Sequence, residues 1–292
     1  MVMTLAGEGI SYSYVPGAPV LTGVSLTVEQ GEAVFLLGPN GCGKTTLLEC
    51  LGGLRRPQEG RVLLAGRDLS QLTPRERALA IAYLPQVHRP TFGYRVIDVV
   101  LMGRAPHLNM LASPSREDRQ LARRALDDVG LAGVAHRPYL ELSGGELRLI
   151  LIARGLAQGA RFLLLDEPDA HLDPGNRRQI LELVLRLAGE GLGPLITSHD
   201  PNSALSYGDR AVLLREGRCL ADGPTEETLV PEALAAAYHV EFALLRGEHG
   251  ERALVPCQGS RPASRSTDRV SGSGRAYVRN SSANPAAAAK GA

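Results

Sequence analysis

The stretch Gly38-Pro39-Asn40-Gly41-Cys42-Gly43-Lys44-Thr45-Thr46 constrains this chain more than any other. It follows the apolar run Ala33-Val34-Phe35-Leu36-Leu37 and leads into Leu47-Leu48-Glu49-Cys50-Leu51. Strand, glycine loop and helix in that order is the context a phosphate-binding loop requires. The glycines let backbone N–H groups turn inward as a concave anion nest. A helix opening near Lys44 adds its free N–H groups and the positive end of its dipole. Lys44 is suited to the β- and γ-phosphates of a nucleoside triphosphate, and the Thr45 hydroxyl to Mg²⁺. The plainer reading is a glycine-rich strand-to-helix turn. Composition argues against it: among 32 basic residues, lysine occurs only at Lys44 and Lys290. A compact ammonium on a thin stem fits a tight backbone cradle where a planar guanidinium does not.

The remaining composition excludes several classes. A net charge of +1 and 4% aromatics without tryptophan give no nucleic-acid footprint and no stacking platform. The charge is uneven, with about +5 in residues 256–292 and about −4 in the rest. Cys42, Cys50, Cys219 and Cys257 form no Cys-x-x-Cys pair, which fits a reducing compartment rather than a disulfide framework or zinc site. The first eleven residues lack the basic and apolar regions of a secretory signal, and no apolar run approaches the roughly 18 residues of a membrane span.

Periodicity predicts strands over 2–10 and 20–28, with a turn bearing exposed aromatics at 12–17. Further strands are expected at 61–65, 81–84, 161–165 and 194–197, and a hairpin across 215–218. Helices are expected at 74–80, about 96–102, from Ser115 onward, and 175–188. Alternating strand and helix predicts a mostly parallel sheet covered on both faces. The expected organisation is a core over 1–86 and 161–255, a helical insertion over 87–160, and a disordered basic tail over 256–292.

Two further constellations carry chemistry. The run Phe162-Leu163-Leu164-Leu165-Asp166-Glu167-Pro168 delivers adjacent carboxylates to a strand's C-terminal end, where open α/β sheets bind ligands. Strand alternation points them to opposite sides and gives them different tasks. Asp166 suits Mg²⁺ at second hand, and Glu167 suits the proton of an attacking water. Leu142-Ser143-Gly144-Gly145-Glu146 reads locally as a capping box. Two glycines in a helix's first turn are poor helix formers, and they fit a backbone that must approach an anion closely.

The order of residues 38–46, Gln86, 142–146, Asp166-Glu167, Leu172-Asp173 and His199 resembles the nucleotide-binding subunit of ATP-binding-cassette (ABC) transporters, over about residues 3–245. The resemblance implies a RecA-like P-loop NTPase fold with an N-terminal antiparallel β subdomain. It implies that Tyr14, rather than Tyr12, stacks on adenine. Gln86 would touch Mg²⁺ or the attacking water, with Thr45 and Asp166 completing the metal site. Ser143, Gly144 and Gly145 would meet the γ-phosphate held by a second copy, Asp173 would lie at the dimer seam, and His199 would orient the water. ATP and Mg²⁺ are the implied cofactors. The implied partners are a second copy, integral-membrane permease subunits and, indirectly, a substrate-binding protein, at the cytoplasmic face of the membrane; residues 87–112 are the candidate docking segment. Tyr83-Leu84-Pro85-Gln86, residues 99–108, His171-Leu172-Asp173 and residues 235–240 resemble the importer subgroup for iron chelates, haem and cobalamin, and its molybdate relatives. An export ATPase, a soluble non-transport ATPase and a catalytically dead subunit remain alternatives. The chain departs from the family pattern at Leu147-Arg148-Leu149, at Ser198, and at Asp169, a third acid expected to slow hydrolysis or change the Mg²⁺ dependence.

Overall fold

The computed structural model describes residues 2–86, 92–109, 112–248 and 250–257. Strands β1 (Thr4–Val15) and β2 (Ala18–Glu29) pair antiparallel, followed by β3 (Val34–Leu37) and α1 (Lys44–Leu51). Tyr12, Ser13 and Tyr14 are strand residues rather than the expected turn; only Pro16 and Gly17 turn. Register shifts keep the twisted β1–β2 ladder going, and the Gln58 side chain brackets Ser13 through both its backbone groups. Strands β4 (Glu59–Leu64) and β5 (Arg67–Asp68) complete an antiparallel sheet of order β2-β1-β4-β5. Helix α2 (Pro74–Ala80), opened by a Thr73–Glu76 capping box, leads into β6 (Ile81–Leu84).

Three helices follow, α3 (Val96–Leu101), α4 (Arg116–Asp128) and α5 (Gly144–Gln158), packed on one another. Helix α4 buries Asp118, Ala122, Ala125 and Leu126, a stripe at helical spacing that Val129 continues just past its end. The rest of the chain alternates: β7 (Phe162–Asp166), α6 (Pro174–Gly189), β8 (Gly193–Ser198), α7 (Pro201–Tyr207) and β9 (Arg210–Arg215). Then come β10 (Arg218–Pro224), α8 (Thr225–Thr228), α9 (Pro231–Tyr238), β11 (Phe242–Arg246) and β12 (Arg252–Pro256).

The central sheet has the order β10-β9-β3-β8-β7-β6, parallel except for β10. Its inner strands are buried on both faces, so they read as unbroken apolar runs. Side-chain alternation sorts them into two cores. Val34, Leu36, Phe162, Leu164, Val212 and Leu214 meet α1 and the antiparallel sheet. Phe35, Leu37, Leu163, Leu165, Ala211 and Leu213 meet the helices on the other side. Four parallel strands, β6, β7, β8 and β3, therefore end on one edge, and the segments after them converge there.

The β11–β12 hairpin was not expected from sequence. It holds to α7 through Asn202, whose amide donates to the Leu254 carbonyl (3.0 Å) and accepts from the Leu254 N–H (2.7 Å). Pro256 pairs with Phe242 and the Cys257 N–H donates to the Glu241 carbonyl, so these two residues of the expected disordered tail are ordered. Residues 258–292 of that tail, and 87–91, 110 and 111 of the candidate docking segment, lie outside the described residues.

Among the three helices, Arg104 Nε donates to Asp118 Oδ1 at 2.9 Å, and its Nη1 donates to the Ala157 carbonyl at 2.8 Å. Hydrogen bonds from Ser115, with Arg104 beside it, hold the Asp118 carboxyl down at about 2, from an ordinary 3.8. A depressed folded-state value means the stabilisation is complete above about pH 4 and is lost as pH falls toward 2. Asp118→Asn should therefore be less stable than wild type at neutral pH. The gap should shrink between pH 4 and pH 2 in urea denaturation series.

Candidate active site

The loop after β3 is shaped by close backbone approach. At Gly38 (φ +152°) an added Cβ would lie 2.1 Å from the Leu214 carbonyl oxygen of β9. At Gly43 (φ +107°) it would lie 2.8 Å from Leu21 Cδ2. The Gly217 N–H donates to the Cys42 carbonyl, so the β9–β10 turn braces the loop from outside. Helix α1 begins at Lys44, and its first-turn N–H groups belong to Lys44, Thr45 and Thr46. Lys44 Nζ donates to the carbonyls of Gly38 (2.7 Å) and Pro39 (3.2 Å). Cys42 is buried, and burial pushes its thiol up.

Of the loop and helix start, Asn40, Gly41, Gly43, Lys44, Thr45 and Thr46 line a cleft of about 640 Å³, while Gly38, Pro39 and Cys42 lie behind its wall. Its walls include Tyr14, Asn40, Gly41, Gly43, Lys44, Thr45, Thr46, Gln86, Glu167 and His199, all singled out from sequence. Val20 and His171 also line it and were not singled out for it. His171 sits in the segment after β7 with φ +61°; its place follows from chain path, which no local pattern reveals.

Glu167 is the hub. Its side chain is 12% exposed, and Oε2 accepts from Gln86 Nε2 at 2.7 Å. His199 Nδ1 lies 3.8 Å from the same oxygen, and Lys44 Nζ lies 3.9 Å from Oε1. Glu167 adopts φ +45°, in the left-handed region, so it does not continue the alternation of β7. The expectation that the two acids diverge because they are strand neighbours holds in outcome for a different reason. The strand ends at Asp166, and the backbone turns Glu167 into the cleft. Thr197 joins the two: its hydroxyl donates to Asp166 Oδ1 (2.7 Å) and accepts from the Glu167 N–H (2.8 Å). Asp166 is 2% exposed and lies behind the cleft wall. Burial, with Asp166 beside it, raises the Tyr83 phenol above its ordinary value and keeps it protonated.

Arg148 of α5 stands at the departure noted from the family pattern. Its guanidinium donates to the Pro85 carbonyl (2.9 Å) and to the Gln86 carbonyl, tying this helix to the segment that presents Gln86. Burial lowers its value from the ordinary one. Asp169 does not join Asp166 and Glu167. It is buried, accepts from Ser203 Oγ at 3.2 Å, lies 3.9 Å from Arg177 Nε, and is not on the cleft wall. Asp169 therefore makes no direct contact on the cleft wall; its charge acts on Arg148, as those of Asp166 and Glu167 do.

The structure does not bring Ser143, Gly144, Gly145 or Asp173 to this cleft. Ser143 and Glu146 form the expected capping box, with Ser143 N–H to Glu146 Oε2 at 2.8 Å. Those hydrogen bonds hold the Glu146 carboxyl below its ordinary value. Gly145 also packs within the chain: a Cβ would lie 2.8 Å from Asn176 Cγ, so that side chain would have to shift. Asn176 in turn donates to Asp173, which caps α6. At Gly144 an added Cβ would meet only Leu172 Cδ2, at 3.8 Å.

The donor set fits a hard divalent cation: the Thr45 hydroxyl, the Gln86 amide oxygen and nearby carboxylates are all oxygen ligands. No cluster of three His, Cys, Asp or Glu residues suited to a metal occurs among the described residues.

A glycine loop opening α1, a buried Asp166, a Glu167 facing the cleft and a Ser143–Gly145 segment off it are the arrangement of an ATP-binding cassette. The ABC transporter family model matches residues 21–170, and the chain belongs to that family as an ATP-binding subunit and an ATPase. It is 41% identical over 252 residues to the hemin import ATP-binding protein HmuV of Bordetella pertussis, covering 83% of this chain and 95% of that protein. It is 37% identical over 256 residues to an uncharacterized ABC transporter ATP-binding protein of Haemophilus influenzae, covering 87% and 97%. A chain of a solved inward-facing ABC transporter, assigned to the metal-chelate type, superposes with a TM-score of 0.78 at 31% identity, covering 88% and 98%.

Backbone overlap and φ strain separate two of the loop glycines. Gly38→Ala should destabilise the chain by about 3 kcal/mol or more, since the Leu214 carbonyl of β9 cannot yield. Gly41→Ala, with φ +79° but nothing within 4 Å of its Cβ, should cost only about 1–2 kcal/mol. Denaturant unfolding without nucleotide measures both.

Proposed function

We propose that this subunit powers import of an iron chelate or haem by hydrolysing ATP at a site completed by a second copy of the chain. The carrying observation is the division of the motifs. Lys44, Gln86, Glu167 and His199 share one cleft, while Ser143, Gly144 and Gly145 lie off it. A head-to-tail pair would set the α5 N-terminus of one copy against the cleft of the other, where its N–H groups would meet the γ-phosphate. Import of a chelate or haem is favoured because the related Bordetella protein is named for hemin import and the solved relative is assigned to the metal-chelate type.

In this reading Tyr14 stacks on adenine and the backbone of the loop cradles the phosphates. Lys44 leaves the Gly38 and Pro39 carbonyls for the β- and γ-phosphate oxygens. Mg²⁺, held through Thr45 and Gln86 with Asp166 behind them, would neutralise charge between the β- and γ-phosphates. Glu167 takes the proton of a water attacking the γ-phosphorus in line, and Gln86 and His199 hold that water's position. Asp173 lies at the dimer seam. The chain docks on permease subunits at the cytoplasmic face of the membrane through the segment 87–112. No helix among the described residues is long and apolar enough to cross a membrane, as a peripheral subunit requires.

Glu167→Gln keeps the Gln86 contact geometry while removing the base. Turnover should fall by roughly 10²–10⁴-fold with ATP affinity retained, as measured by phosphate release and nucleotide titration; unchanged turnover would remove Glu167 from this role. Lys44→Ala should lose ATP binding, and unchanged affinity would refute the phosphate-loop assignment. Stimulation of ATPase by haem or an iron chelate, in the complex with its permease and binding protein, tests the substrate.

A further inference from the structure

Tyr14 is 53% exposed and lines the cleft, yet its ring is held on several sides. Its hydroxyl lies 3.1 Å from Thr46 Oγ1 in the first turn of α1. Tyr12 packs edge-on against it, with centroids 5.1 Å apart and planes at 82°. The Arg55 guanidinium lies over the Tyr14 ring, 4.6 Å from its centroid, and 5.6 Å from that of Tyr12. Arg55 is itself fixed. Its Nε donates to the Glu49 carboxylate on α1, and its Nη1 donates to the Tyr12 hydroxyl at 3.2 Å. The Tyr14 ring is thus tied to the helix that carries the phosphate loop at both ends, through Thr46 and through Arg55 and Glu49.

We propose that Arg55 is a positioning residue for nucleotide binding: it seats on one face of Tyr14 and holds the other face ready for the adenine ring. This rests on the reading that Tyr14 stacks on adenine. Two physical effects follow. A ring already held loses little conformational freedom when a base stacks on it. A cation on the far face draws π-density away from the face that meets the base, which lessens ring–ring repulsion. Glu49 and Tyr12 act one step further out, by fixing the guanidinium. The arrangement acts on the base alone and leaves the phosphates to the loop. Arg55 should therefore govern ATP affinity and not the chemical step, in contrast to Lys44 or Glu167.

The test is a kinetic cycle on the full chain with Arg55→Met, Arg55→Lys, Tyr14→Ala and the Met/Ala double variant. Arg55→Met should raise KM for ATP about 3–10-fold, the cost of ordering one side chain on binding, with kcat within about twofold of wild type. Arg55→Lys, which keeps the cation, should recover part of the affinity and guards against a folding defect in the methionine variant. In the Tyr14→Ala background the Arg55→Met substitution should have almost no further effect. Inhibition by inorganic tripolyphosphate, which has no base, should be the same in all four variants. An unchanged KM in Arg55→Met overturns the proposal. So does an effect that persists without Tyr14, or one that extends to tripolyphosphate, because Arg55 would then act through α1 and the phosphate loop. If Tyr14→Ala itself leaves KM for ATP unchanged, the stacking reading of the site fails first; if only Arg55→Met is silent, that reading stands and this inference falls.

Discussion

Parallel backbone pairing of β6, β7, β8 and β3 is the constraint on which the site depends. Leu84 pairs with Leu165, Asp166 with Thr197, and Ser198 with Leu37. Parallel strands share a direction, so the segments after all four leave from the same edge. That edge receives Gln86, Glu167, His199 and the phosphate loop, from positions more than 150 residues apart in the chain. Slipping one strand by a single residue would exchange its two buried faces, and the two apolar cores resist that. Precision at the cleft is thus set by the burial of residues such as Leu36, Leu164 and Leu213, which touch no ligand.

At that edge the electrostatics centre on Glu167. A carboxylate with 12% exposure is costly to leave unpartnered, and Gln86, Lys44 and His199 surround it from three different segments. In the proposed mechanism, nucleotide would draw Lys44 toward phosphate and leave Gln86 and His199 to orient water beside the same carboxylate. Arg148 extends this network to α5, the helix that begins with Gly144 and Gly145. A change at Gln86 therefore has a direct mechanical path to the segment proposed to complete the partner's site.

Motifs that act through backbone geometry were legible in the sequence. Residues 38–46 and the Ser143–Glu146 capping box carry their chemistry in local spacing, and the apolar runs of β3, β7 and β8 announce a parallel sheet. What was not legible depends on long-range packing. The left-handed turn at Glu167 and the burial of Asp169 toward Ser203 and Arg177 are set by neighbours distant in sequence, and the continuation of β1 past Tyr12 is held by the nearby β2 with Gln58 bracketing Ser13. The β11–β12 hairpin is also set from a distance: its five-residue strands carry little pattern of their own and are held by Asn202. Gly145 adds a lesson about inference from composition. Its lack of a side chain suggested an approaching ligand, yet the Asn176 side chain of the same chain already packs against it.

In the proposed mechanism each chain holds half of each of two hydrolytic sites. A Lys44→Ala chain lacks the phosphate-loop half. A Gly144→Asp chain has room for a Cβ, 3.8 Å from Leu172 Cδ2, but would carry a negative charge where the partner's γ-phosphate would lie. The decisive measurement is ATPase activity of the two variants co-expressed and purified as a mixture. The mixed dimer contains one site with both halves intact, so the account predicts activity that neither variant has alone. A mixture no more active than the sum of its parts would contradict it.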